Sequence, residues 1–244
     1  MEKISLQKIK WIKSLHLKKN REKEKLILVE GEKLVKELME QYPSLIHTFV
    51  TTEVAVSNLP EERGYYCAPA EMDRISQFTT SSCLMGIFHI PETPAFNPSE
   101  RILVLESIQD PGNLGTIIRT ADWFGIKQIV CSEDTVHHLN SKVIQASMGS
   151  AFRIAVFYKN LVEFLPNLGL PIHGALLNGK NLSEISPAEI KILVMGNEGK
   201  GISEKLQEHI SQAVTIPGYG HAESLNVSMA TGIFLYHWSQ SKLN

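Results

Sequence analysis

The chain has 244 residues, 43% apolar and 20% charged, with a formal net charge of −2. That length gives room for one large domain or two modest ones, each able to bury a core, and the near-neutral balance says nothing by itself about nucleic acid. No apolar run reaches transmembrane length, the N-terminus lacks the apolar core of a signal peptide, and Cys67, Cys83 and Cys131 lack metal-ligand spacing, which favours a reduced cytoplasmic compartment and no metal site.

In chain order, Ser5 is placed to cap a short helix carrying Leu6, Ile9, Ile12 and Leu15. Charge is uneven here: nine Lys or Arg up to Lys25 face only Glu2, Glu22 and Glu24. Such a basic end fits a nucleic-acid footprint or, more blandly, a solvated helix face. LILVEG (26–31) reads as a strand, EKLVKELMEQ (32–41) as a helix and HTFVTT (47–52) as a strand. A helix near Ala70–Ser76 and a strand from Cys83 to Ile90 complete a small α/β unit. Pro91, Pro94 and Pro98 then mark a seam. The expected division is therefore a first domain over 1–92, a Pro-rich linker over 93–100 and a second domain over 101–244.

Beyond the seam, strand-like runs at 101–107, 127–132, 153–158, 172–178, 191–196 and 213–217 alternate with helical ones. The helices are expected from Leu114, near Asn140–Met148, and at the C-terminal end. Continuous Val/Ile/Leu strands separated by helices imply an α/β fold with a parallel sheet covered on both faces. Ligands in such sheets bind beyond the carboxyl ends of the strands, and three polar, glycine-containing segments fall there.

The first, QDPGNLGTIIRTADWFG (109–125), buries Leu114, Ile117, Ile118, Ala121 and Phe124 at helical spacing. That leaves Arg119 facing away from the core, Gly115 one turn before it, and Asn113 at an anion-favouring helix start. The second, VMGNEGKGIS (194–203), is a glycine-rich turn with one carboxylate, Glu198, and is not a Walker A loop. The third, IPGYGHAESLNVSMATGIFLYHW (216–238), sets Glu223, Ser224 and Asn226 against an apolar helix. Polar groups buried at such a junction are costly unless a ligand or reaction uses them. Ser224 is the expected N-cap, with Asn226 already inside the helix. The helix is apolar nearly all round, so it is expected to be buried on several sides, in its own domain or against a second subunit. No GxGxxG follows a strand, HExxH is absent, and His137-His138 reads as a surface pair.

NLGTIIR, GNEGKGIS and IPGYGHAESLNVSMATGI, in this order and spacing, resemble the three motifs of the SpoU (TrmH-like) family of RNA 2′-O-ribose methyltransferases, of the knotted SPOUT class. The N-terminal unit, with LILVEGEKLVKEL, is similar to that family's L30e-like ribosomal-protein domain for RNA substrates. The resemblance implies S-adenosylmethionine as cofactor, a C-terminal domain with a deep trefoil knot, and a homodimer formed through that domain. Asn113, Arg119, Glu198, Ser224 and Asn226 match its catalytic and substrate-positioning places. Met195, Gly196, Ile216, Pro217, Ser224, Leu225 and Asn226 match its cofactor-binding places. Gly218 departs from a methionine common in the family, and SSCLMGIFHI lacks the glutamine often found before its glycine. The implied substrate is ribosomal RNA rather than DNA or a membrane. Transfer RNA and a non-catalytic RNA-binding role are the alternatives.

Overall fold

The computed structural model describes residues 1–52 and 63–242. The chain forms two compact units, Met1–Glu92 with Leu139–Gly149, and Thr93–His138 with Ser150–Asn244. In order, the first stretch contains β1 (Glu2–Lys3), α1 (Leu6–Ser14), α2 (Lys18–Glu24), β2 (Leu26–Glu30), α3 (Glu32–Gln41), β3 (Ile46–Thr51), β4 (Gly64–Tyr66), α4 (Pro69–Ile75) and β5 (Leu84–His89). Next come β6 (Ile102–Leu105), α5 (Pro111–Trp123), β7 (Gln128–Ser132), α6 (Ser141–Ala146), β8 (Ala155–Lys159) and α7 (Leu161–Phe164). The last stretch holds β9 (Ile172–Asn181), β10 (Ile192–Met195), α8 (Glu204–Gln207), β11 (Gln212–Thr215) and α9 (Val227–Ser239).

The first unit is built on a mixed sheet of order β1-β4-β3-β5-β2. β5 runs antiparallel to both β2 and β3, while β4 runs parallel to β3 and β1. Ser5 caps α1 as its sequence predicts, its side chain accepting from the Lys8 amide. Ile9 and Ile12 of α1 and Met72 and Ile75 of α4 close over Leu26, Leu28, Met85 and Ile87 of the sheet. Every residue of β2 is buried, Glu30 included. Burial pushes the Glu30 carboxyl above its ordinary pKa, although the Ser76 hydroxyl (2.6 Å) and Ser82 amide (3.1 Å) hold its charged form. α6 belongs to this unit despite its distance in sequence.

The basic N-terminal end is less basic at its surface than its composition suggests. Arg21 is 5% exposed, and its guanidinium donates to the carbonyls of Leu15 (3.3 Å) and His16 (2.6 Å), so it serves the fold rather than a face. Lys18 pairs with Glu22, and Lys23 with Glu24.

The second unit is a six-stranded sheet of order β11-β9-β10-β6-β7-β8, parallel at every pairing. β6 and β10, ILVL and ILVM, are buried at all four positions. That is the signature of strands covered on both faces. The proline-containing stretch before β6 is docked on this unit. The Asn97 amide donates to the Gln128 side chain, which donates back to the Asn97 carbonyl, and Phe96 meets Phe157 and Phe164 edge-on. Among the described residues no helix is long and apolar enough to cross a membrane.

Candidate active site

Because β6, β10 and β11 share one direction, the segments that follow them leave the sheet at the same, carboxyl edge. Their local structure corrects two sequence expectations. α5 begins at Pro111 rather than near Leu114, with Asp110 as its N-cap accepting from the Asn113 amide at 2.8 Å. Pro111 is preset for a first helical position. Asn113 therefore lies inside the first turn, not at the start. The N-cap of α9 is Asn226, not Ser224: its Oδ1 accepts from the amides of Ser228 (2.9 Å) and Met229 (3.4 Å).

A third expectation also changes. Glu223, Ser224 and Asn226 are exposed in the single chain, so the junction is not buried polarity. Nor is α9 buried on several sides within the chain. Val227, Thr231, Phe234, Leu235 and Trp238 face inward, whereas Met229, Ile233 and Tyr236 are 64%, 40% and 61% exposed.

Three of the five motif side chains meet. Asn226 Nδ2 donates to Asn113 Oδ1 at 3.1 Å, and Asn113 Nδ2 donates to Glu198 Oε1 at 2.8 Å. A continuous hydrogen-bond chain thus runs from the first amides of α9, through two carboxamides, to a carboxylate. Each donor polarises the next, and the last bond is charge-assisted. Arg119 is exposed on α5, off the buried stripe as its spacing predicts, and lies outside this chain. Ser224 is exposed and also outside it. Met195 is 2% exposed and its carbonyl accepts from the Glu106 amide at 2.9 Å, so it closes the sheet edge. Ile216 and Pro217 are half-buried, and Leu225 is 50% exposed.

The turn after β10 is locked by a residue that sequence reasoning passed over. Asn197 Oδ1 accepts from the amides of Gly199 and Lys200, its Nδ2 donates to the Ser107 carbonyl, and its backbone exchanges two bonds with Gly201. An Asn set among Gly196, Gly199 and Gly201 at the end of a strand is the available signal. Gly196 is required by close approach: a Cβ there would sit 2.3 Å from the Gly201 carbonyl carbon. Glu106 takes the Ser203 amide (2.8 Å) and hydroxyl (2.6 Å). Asp134 likewise holds the hydroxyls of Ser107 (2.5 Å) and Ser132 (2.6 Å). Burial opposes the Asp134 charge, but these hydroxyl bonds hold its carboxyl below the ordinary value.

The segment after β11 is the opposite case. Among the described residues, Pro217–Leu225 makes no hydrogen bond through backbone or side chain. A run of main-chain donors and acceptors, flanked by Ile216 and Leu225, suits a ligand with a flat apolar base and polar edges. S-adenosylmethionine has that character, and these residues fit it.

Residues 100–236 match the model of the SpoU rRNA Methylase family, and residues 7–85 that of the MRM3-like substrate binding domain. The chain is 35% identical to the 23S rRNA (guanosine(2553)-2′-O)-methyltransferase RlmP of Bacillus subtilis (strain 168), over 97% of this chain and 98% of that protein. Among solved structures, a Porphyromonas gingivalis protein assigned to the TrmH family of RNA methyltransferases superposes with a TM-score of 0.82 at 36% identity, covering 98% of this chain and 99% of that one. An AdoMet-bound rRNA methyltransferase from Sinorhizobium meliloti gives 0.82 at 29% identity, over 100% and 98%. With the parallel sheet, the shared carboxyl edge and the joined motif residues, these matches establish that the chain belongs to the SpoU rRNA methylase family.

Proposed function

We propose that this chain transfers a methyl group from S-adenosylmethionine to a ribose 2′-hydroxyl of 23S ribosomal RNA, at a guanosine as its Bacillus subtilis relative is named for. The observation that carries the reading is the Asn226–Asn113–Glu198 chain at the carboxyl edge, with Arg119 the exposed cation of the same helix that holds Asn113. The cofactor supplies an electrophilic methyl on a sulfonium. Gly196, Ile216, Pro217 and Leu225 hold it through the main chain, with Met195 closing the pocket floor and Ser224 and Asn226 on the substrate side.

Attack by a 2′-oxygen needs in-line positioning, loss of the hydroxyl proton and support for the charge that develops. A guanidinium is a poor base but a good fork for phosphate and alkoxide oxygens. Arg119 accordingly grips the target phosphate and steadies the alkoxide. Glu198, oriented by Asn113, takes the proton directly or through water. Lysine at position 119 keeps the charge and loses the fork. Arg119→Lys is expected to slow methyl transfer about 100-fold, the scale for removing a preorganised oxyanion donor; near-wild-type turnover would contradict this role.

The remaining assignments follow the same reading. Residues 1–92 form an L30e-like RNA-binding domain, 93–100 the connection, and 101–244 the methyltransferase domain with its trefoil knot, apart from Leu139–Gly149, which group with the first compact unit. The exposed Met229, Ile233 and Tyr236 of α9, together with Trp123 of α5 at 84% exposure, cover one another across a homodimer. A ribosomal substrate, with Cys67, Cys83 and Cys131 outside any disulfide, supports a cytoplasmic reaction.

A further inference from the structure

We infer that the corner of the first unit formed by Lys8, Trp11, His47, Tyr65 and His89 binds an unpaired stretch of the substrate RNA, its rings stacking on bases and its cation holding phosphate. The inference rests on the RNA-methyltransferase reading, which gives RNA binding to residues 1–92 but to no particular surface of them.

The corner is built from both ends of the unit. Lys8 and Trp11 lie three residues apart on α1 and so share a face. His47 stands near the start of β3, beside a register irregularity between Ile46 and Thr48, and His89 ends β5. The Lys8 ammonium sits 4.4 Å from the Trp11 ring centroid and 5.1 Å from that of Tyr65. Trp11 and His47 are 5.9 Å apart, and His47 meets His89 edge-on at 5.2 Å.

Two features make this more than a solvated corner. Trp11 and Tyr65 are partly buried against the core, so their rings are held in place, while His47 and His89 are exposed. Fixed rings stack on a base at little further entropic cost. Lys8 has no ion pair among the described residues, and neither has Arg63, which donates to the Ile46 carbonyl (3.2 Å), one residue before His47. Cations left without carboxylates suit phosphodiesters. Partial burial, His89 and Lys8 keep the His47 imidazole below its ordinary pKa, which favours a neutral ring for stacking. Bases in a duplex are already stacked, so the ligand is single-stranded, a loop or a bulge.

The test compares wild type with the His47→Ala/His89→Ala double variant and with Lys8→Gln. The probes are a mixed-sequence single-stranded RNA of about 12 nucleotides, its duplex, and an unmodified 23S transcript. The double variant should bind the single strand about tenfold more weakly, a loss on the scale of stacking contacts. Lys8→Gln should lower the salt dependence by about one counterion. Both should raise the KM for the transcript while leaving kcat at saturation and S-adenosylmethionine affinity within about twofold. Unchanged RNA affinity in the folded variants would overturn the inference and give the corner to a protein partner or to none. If wild type binds RNA through these residues yet methylates no ribosomal RNA, the proposed activity fails and this surface stands.

Discussion

The turn after β10 and the turn after β11 are neighbours in the family's motif set but differ in how they are made. The first is closed on itself. Asn197 spends its side chain on Gly199, Lys200 and Ser107, and Gly196 lies so close to the Gly201 backbone that no side chain fits. The second leaves Pro217–Leu225 without a hydrogen bond among the described residues and ends in a capped helix with an exposed apolar face. One turn is a rigid wall set by its own sequence. The other leaves its main-chain groups unpaired among the described residues, and the function proposed above gives them to the cofactor.

Substitutions should separate the two. The largest effect is expected from Gly196→Ala, whose Cβ would clash with backbone at 2.3 Å; about 3 kcal/mol or more of stability should be lost by denaturant unfolding, the upper range for overpacking. Asn226→Ala comes next. It removes the α9 cap, worth about 1 kcal/mol, and frees Asn113 and Glu198, so methyl transfer should fall about tenfold or more as an orienting hydrogen bond to the reacting group is lost. A stability loss with unchanged kcat would reduce Asn226 to a structural cap. Gly218→Ala should do least: nothing lies within 4 Å of the added methyl, and stability should stay within about 0.5 kcal/mol. A shift in cofactor affinity for that variant, read by calorimetry, would show that the open turn closes over the ligand at this point.

The same contrast explains what was legible in the sequence. α3 spans Glu32–Gln41, the span its apolar spacing predicts, because packing and periodicity agree there. The buried strands β6 and β10 and the outward position of Arg119 follow from local pattern too. The α9 cap did not. Ser224 and Asn226 are both capping types, and Asn113, more than a hundred residues away, also engages Asn226. The short strands β1 and β4, of two and three residues, carry no period to detect. α6 was expected as a helix, but its place with the first unit rests on long-range packing that no local window records. Buried polarity at 223–226 was inferred from composition, and the single chain leaves those groups exposed.

The most direct test is a methyl-transfer reaction with purified protein, S-adenosylmethionine and an unmodified 23S transcript, followed by mapping of ribose methylation by resistance to alkaline cleavage. One new alkali-resistant position is expected, at a guanosine, formed by the wild type and about 100-fold more slowly by Arg119→Lys. Methyl groups found on a base, or none transferred by a protein that binds the cofactor, would contradict it.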